Sequence, residues 1–206
     1  MTKENNIKYT SIDVKTTGLN HEKCSILEFA AIVDDLNAQE PIEKLPKFQV
    51  YVMQEYYTGE PFALAMHCEK LQKLANWRTS GIDVCTPETL IAKFHTFLLT
   101  FGYQETGRTQ SVKKDGYIKI NIAGKNFANF DNRFLEKLPD YNKLIKVGNR
   151  ILDPVMLYFD PKKDVNHLPS MNECMERAGI ISETPYSALE DAILVVKLLR
   201  HKFPIR

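Results

Sequence analysis

Three β-rich apolar runs crowd the opening stretch of this chain, and beyond them helical and strand-like segments alternate. Ile7–Asp13 leads into the turn signal Thr16-Thr17-Gly18, Ser25–Val33 follows after a gap short enough for a hairpin, and Phe48–Met53 is the third run. The spacing predicts a helix over Phe62–Ala75, with Leu64, Leu71 and Leu74 on one face. A second helix starts at Thr86-Pro87-Glu88, where a capping residue precedes proline, and turns Leu90, Ile91, Phe94, Phe97, Leu98 and Phe101 inward. Gln104–Gly116 is polar and reads as an exposed loop or irregular hairpin. Ile118–Ala123 reads as a strand, Phe127, Phe130 and Phe134 mark a helix face, and Arg150–Asp153 reads as a short buried strand before Pro154. Two final helices are expected over Ser170–Ala178 and Ser187–Lys202, with Gly179 stopping the first and Pro185 preceding the second. Strands first, then alternation, give an α/β class with a mixed sheet.

A chain of 206 residues is expected to form one domain spanning 1–206, with a core over about 7–199. No apolar run is long enough for a membrane span, and the polar start has no signal-peptide core, so a cytoplasmic location without membrane association is expected. Cys24, Cys68, Cys85 and Cys174 are scattered, which fits reduced, mostly buried thiols rather than a zinc cluster. The net charge of +1 argues against extensive sequence-independent duplex binding but leaves room for a small site that takes a strand end. The locally basic segment Arg133–Arg150 reads equally as a solvated helix face or a phosphate track.

The residues that could carry chemistry each have a plain structural reading. Asp13 and Lys15 are two apart on a strand and share a face, and Asp13 interrupts an apolar run where an unpaired carboxylate is costly. Asp13 could instead cap the following turn. Asp131 could sit in the first turn of a helix capped by Asn126 or Asn129, where the dipole favours an acid. Asp191 could be a solvated first-turn acid beside Glu190.

Taken together, in order and spacing, these pieces resemble the three motifs of the DEDD superfamily of 3′–5′ exonucleases. The first motif matches at Asp13, Thr16, Thr17, Gly18 and Leu19, the second at Asn126, Phe130 and Asp131, and the third at Ala188, Asp191 and Ala192. Asp153 resembles a strand-end aspartate that stands between the second and third motifs. The resemblance implies a ribonuclease-H-like fold, a five-stranded mixed sheet flanked by helices. It also implies carboxylates that hold two Mg²⁺ or Mn²⁺ ions, which clamp the attacking and leaving oxygens of a phosphodiester. Asp13 would bridge both ions, Asp191 would hold one, and Asp131 would act through water. Thr16, Thr17 and Leu19 would line the terminal-nucleotide pocket, and Asn126 and Phe130 would seat the strand.

The chain departs from that pattern twice. Lys15 stands where the family has glutamate, and Tyr186 stands, five residues before Asp191, where the histidine branch has its catalytic base. Opposite unit charges about 4 Å apart interact by roughly 4 kcal/mol at an effective dielectric near 20. Exchanging glutamate for lysine removes one attraction to a divalent ion and adds a repulsion, so the centre is expected to hold one ion or none. Tyrosine, with a reference pKa near 10, is a poor base at neutral pH. Two arrangements are open: the Lys15 ammonium sits among Asp13 and Asp191 in place of one ion, or it points to solvent and the centre has decayed. The expected function is to act on or bind 3′ ends of single-stranded DNA or RNA, with hydrolysis weakened or lost. The alternative is a catalytically inactive nucleic-acid-binding or protein-docking module. A second copy of the chain, or a replication or repair assembly, is the expected protein partner.

Overall fold

The computed structural model describes residues 7–106, 116–181 and 187–205. The chain opens with β1 (Lys8–Thr16), which carries its strand geometry past Asp13 and through Lys15. β2 (Ile26–Asp35) returns antiparallel, tied by Thr17 N–H to the Ser25 carbonyl at 2.9 Å. Nine of its ten residues are buried, as expected of a central strand covered on both faces. β3 (Lys47–Val52) continues the antiparallel sheet, followed by α1 (Pro61–Met66), α2 (Cys68–Ala75), the two-residue β4 (Val84–Cys85) and α3 (Pro87–Thr100). β5 (Glu105–Thr106) pairs antiparallel with the start of β6 (Tyr117–Ala123). The short helices α4 (Asp131–Leu135) and α5 (Tyr141–Leu144) lead to β7 (Ile145–Leu152). Then come α6 (Pro154–Tyr158), α7 (Met171–Ala178) and the long α8 (Ala188–Lys202).

The sheet runs β4-β3-β2-β1-β6-β7, with β5 beside the start of β6; β6 is parallel to both β1 and β7. Five long strands form its body, and the two-residue β4 and β5 bring the total among the described residues to seven. Alternation along β1 divides the interior. Ile12 and Val14 face the core built with Phe29, Phe94 and Leu98, while Tyr9 packs beneath α8 with Val195, Val196 and Leu199. Asp13 and Lys15 fall on the same face as Tyr9, the face that α8 crosses.

Three expectations change in the structure. The helix expected over Phe62–Ala75 is two helices that break at His67, whose φ of −103° and ψ of 21° leave the helical basin. The leucine spacing continues across the break, so periodicity hides it. The phenylalanine face at Phe127–Phe134 is mostly turn, with Asn126 left-handed at φ 56° and helix only from Asp131. The strand expected at Arg150–Asp153 begins at Ile145, inside the basic segment. As the sheet edge beyond β6 it exposes Lys146, Asn149 and Arg150, so its sequence lacks an apolar run. Two of the four thiols, Cys85 and Cys174, are buried. Of the loop or irregular hairpin expected over Gln104–Gly116, residues 107–115 lie outside the described residues, as does Pro185. No helix among the described residues is long and apolar enough to cross a membrane.

Candidate functional site

The site forms where β1, α4 and α8 meet. Two local devices deliver α8. Ser187 caps it, accepting a hydrogen bond from Glu190 N–H at 3.2 Å while the Glu190 carboxylate accepts from Ser187 N–H at 3.0 Å. The buried Ser11 hydroxyl then donates to the Ala192 carbonyl at 3.0 Å, which fixes the first turn of α8 against β1. Asp191, one residue earlier, is thereby held beside the β1 terminus. Asp131 arrives from the opposite side: its buried Oδ1 accepts from Val14 N–H at 2.9 Å.

Lys15 lies at the centre. Its Nζ is 3.0 Å from Asp13 Oδ2 and hydrogen-bonds Asp191 Oδ2. The ammonium points inward, with its side chain only 17% exposed against 27% for Asp13 and 18% for Asp191. Burial pushes the Asp13 carboxyl well above the usual carboxylate range, with Lys15 opposing and Asp131 and Asp191 adding to the rise. Asp131 is pushed up to about 7, chiefly by burial, against the pull of the Val14 N–H and the Lys15 charge. Burial disfavours the charge on Lys15, but Asp13 and Asp191 more than offset it, so the amine keeps its proton more firmly than a free lysine.

Above this cluster opens a cavity of about 760 Å³ lined by Asp13, Lys15, Thr16, Leu19, Phe62, Met66, His67, Lys70 and Phe130 among others. Of the residues expected in a nucleotide pocket, Thr16, Leu19 and Phe130 line it. Thr17 is buried behind the wall, where its hydroxyl donates to the Thr58 carbonyl at 2.5 Å and accepts from Ser25 N–H at 2.8 Å. Gly18 makes that turn possible, since a Cβ there would lie 2.7 Å from both Cys24 Sγ and the Glu60 carboxyl carbon. Asn126 is exposed on the turn before α4, and its N–H donates to Asp153 Oδ2 at 2.9 Å. Asp153 also accepts from Val155 N–H at 2.9 Å, so it joins that turn to α6 and stands outside the cavity lining. Tyr186 lies outside the described residues.

Lys70 and His67 extend the site beyond the motif residues. Glu28, wholly buried on β2, is the direct cross-strand partner of Lys15. Its Oε2 lies 2.7 Å from Lys70 Nζ, and its Oε1 accepts from Gln49 Nε2 at 2.6 Å. A glutamate inside the apolar run Ile26–Ala30 is visible in the sequence; its lysine partner, buried on a helix whose break the periodicity hides, carries no comparable signal. His67, at that break, is made less basic by burial first and then by Lys70 and Lys15.

The donor set does not fit a two-ion centre. Among the described residues no three acid, histidine or cysteine side chains converge as an ion site, and an ammonium fills the space between Asp13 and Asp191.

No protein-family model matches the sequence, and no curated protein does either. Among solved structures, the nuclease domain of 3′hExo, a DEDDh family member bound to rAMP, superposes with a TM-score of 0.62 at 15% identity, over 98% of this chain and 96% of that one. An Exonuclease I from Methylocaldum szegediense superposes with a TM-score of 0.60 at 15% identity, over 96% of this chain and 41% of its own length. This chain has the ribonuclease-H-like exonuclease fold. Within that exonuclease fold the centre at the β1 terminus is occupied by a lysine bound to two aspartates.

Proposed function

We propose that this chain belongs to the DEDD group of 3′–5′ exonucleases and engages 3′ ends of single-stranded nucleic acid at the cavity over Lys15, with phosphodiester hydrolysis weakened or lost. The carrying observation is the ion pairing of Lys15 with both Asp13 and Asp191 on the cavity floor. The charges of Asp131 and Asp191 both act on Asp13, a proximity that supports the family reading. The ammonium among them supports the loss of activity, because a cation already satisfies the carboxylates that would hold an ion. Lys15 keeps the cluster charge-compensated, Asp131 stays partly protonated near neutrality, and Thr16, Leu19 and Phe130 shape the wall a terminal nucleotide would meet.

The test is incubation of a 3′-labelled single strand with the protein in Mg²⁺ and in Mn²⁺, beside Lys15→Glu and Lys15→Glu/Tyr186→His variants. We expect binding without appreciable shortening by the unmodified chain and shortening from the 3′ end by the double variant. Robust cutting by the unmodified chain overturns the loss of activity, and absence of strand binding overturns the reading as a 3′-end protein.

A further inference from the structure

We propose that the open face of β6 and β7 is a phosphate track for the body of a single strand, separate from the cavity over Lys15; the proposal rests on the reading of this chain as a 3′-end protein.

The track follows from how the sheet is covered. α8 packs on β1, β2 and β3, and the apolar cluster beneath it takes in the ends of β6 and β7 at Ala123 and Leu152. Nearer the starts of these two strands the same face is bare. Lys119, Asn121, Lys146 and Arg150 are all exposed there, while Ile118, Ile120 and Ile122 fill the core behind them. Half-buried Tyr117 shares that face by alternation. Lys119 stands beside Lys146 in register, on strands about 4.8 Å apart, where like charges repel. A lysine on an outer strand guards a sheet edge, which accounts for Lys146. It does not account for Lys119, whose strand is paired on both sides.

No carboxylate balances the group. β5, β6 and β7 hold one acid between them, Glu105. It is the register partner of Ile118, so it lies on the opposite face, 3.4 Å from His95. Lys146 Nζ donates to the neutral Asn142 carbonyl, which leaves its charge uncompensated. Among the described residues no acid pairs with Lys119, Lys146 or Arg150. A polyanion laid across these three cations removes their repulsion, and a nucleic-acid backbone offers phosphates at regular intervals. Tyr117 gives an unpaired base a ring to stack on, which favours a single strand over a duplex. The net charge of +1 fits a short track of this kind better than a broad duplex surface. Thr10 is level with Ile122; Lys119 lies three residues before Ile122, and Asp13 three residues after Thr10. Along the strands the track is therefore about 20 Å from the cavity floor, at roughly 3.3 Å per residue. That span is about six stacked nucleotides at roughly 3.4 Å each, so only a longer strand engages both places.

Anisotropy of a labelled single strand of about 20 nucleotides, titrated with the full chain over a range of NaCl concentrations, tests this. Lys119→Gln/Lys146→Gln/Arg150→Gln is expected to bind roughly 10- to 100-fold more weakly at low salt. Its slope of log affinity against log salt should be shallower by about 2, near 0.7 for each lost phosphate contact. Lys44→Gln/Lys162→Gln/Lys163→Gln removes the same charge elsewhere and should bind within about threefold of the unmodified chain. All six side chains are exposed, so these changes leave the core intact. Equal weakening by the two sets, or an unchanged salt slope in the first, overturns the track. A duplex weakened by the first set as much as the single strand overturns the assignment to single strands. Failure of the unmodified chain to bind the strand at any salt concentration defeats the reading beneath, and the track with it.

Discussion

At position 15 a flexible four-carbon stem carries an ammonium into a nest of carboxylates, and the titration of those carboxylates becomes part of the chain's stability. Asp131 keeps its proton up to about pH 7 when folded, against a reference value of 3.8. Between those values the folded chain binds more protons than the unfolded one, so stability falls as pH rises from about 4 to 7 and levels off above. Asp13, also raised by burial, contributes in the same direction. Asp131→Asn retains an oxygen to accept the Val14 N–H and removes the titration. Urea unfolding midpoints measured from pH 4 to pH 8 should therefore fall less steeply in that variant, and the variant should be the more stable of the two at the alkaline end. The aspartates themselves were legible in the sequence, because an acid inside an apolar strand and two acids at helix starts are visible there. That Lys15 turns inward was not, because an inward or outward lysine has the same spelling; only Asp191, 176 residues away, decides it.

Among elements, the join between β2 and α2 is the most sensitive. Glu28 is wholly buried and Lys70 nearly so, and they compensate each other at 2.7 Å. Removing one partner strands a charge in the interior, at a cost of about 3–5 kcal/mol, whereas replacing both with apolar or neutral groups of similar size is far milder. Chemical denaturation should show Lys70→Met strongly destabilised and Glu28→Gln/Lys70→Met recovering most of that loss. Equal destabilisation by the single and double changes would mean the pair is not coupled. This element was only half readable. Local punctuation announced α3, α7 and α8: Thr86-Pro87 starts the first, Gly179 stops the second and Pro185 precedes the third, signals that need no distant part of the chain. The break at His67 and the strand Ile145–Leu152 were not announced. Both depend on what the rest of the molecule packs against them, and an edge strand need not be apolar.

For the whole molecule, the sheet order and the placement of α8 give an exonuclease fold whose centre is electrostatically self-contained. A chain that carries its own cation does not need an ion to hold its carboxylates together. Its melting temperature should be the same in EDTA and in Mn²⁺. Lys15→Glu, which concentrates negative charge at the β1 terminus, should melt lower in EDTA and recover in Mn²⁺, a shift readable by differential scanning fluorimetry without any substrate. An equal Mn²⁺ shift in both proteins would show that the unmodified centre already takes an ion. The α/β class was readable from segment order alone. The short β4 and β5 were not, since two-residue strands leave no periodicity to find.

The cross-strand register that sets Lys15 opposite Glu28 also constrains the routes by which this chain could change over generations. A change to glutamate at position 15 would seat two like charges opposite each other on neighbouring strands, with Lys70 the cation paired to Glu28. A lineage moving between the lysine and glutamate forms would therefore meet epistasis: the fitness of one allele at position 15 depends on which residue is held at position 70. Positions 15, 28 and 70 are therefore coupled, and none of them changes alone without disturbing the charge balance of the other two.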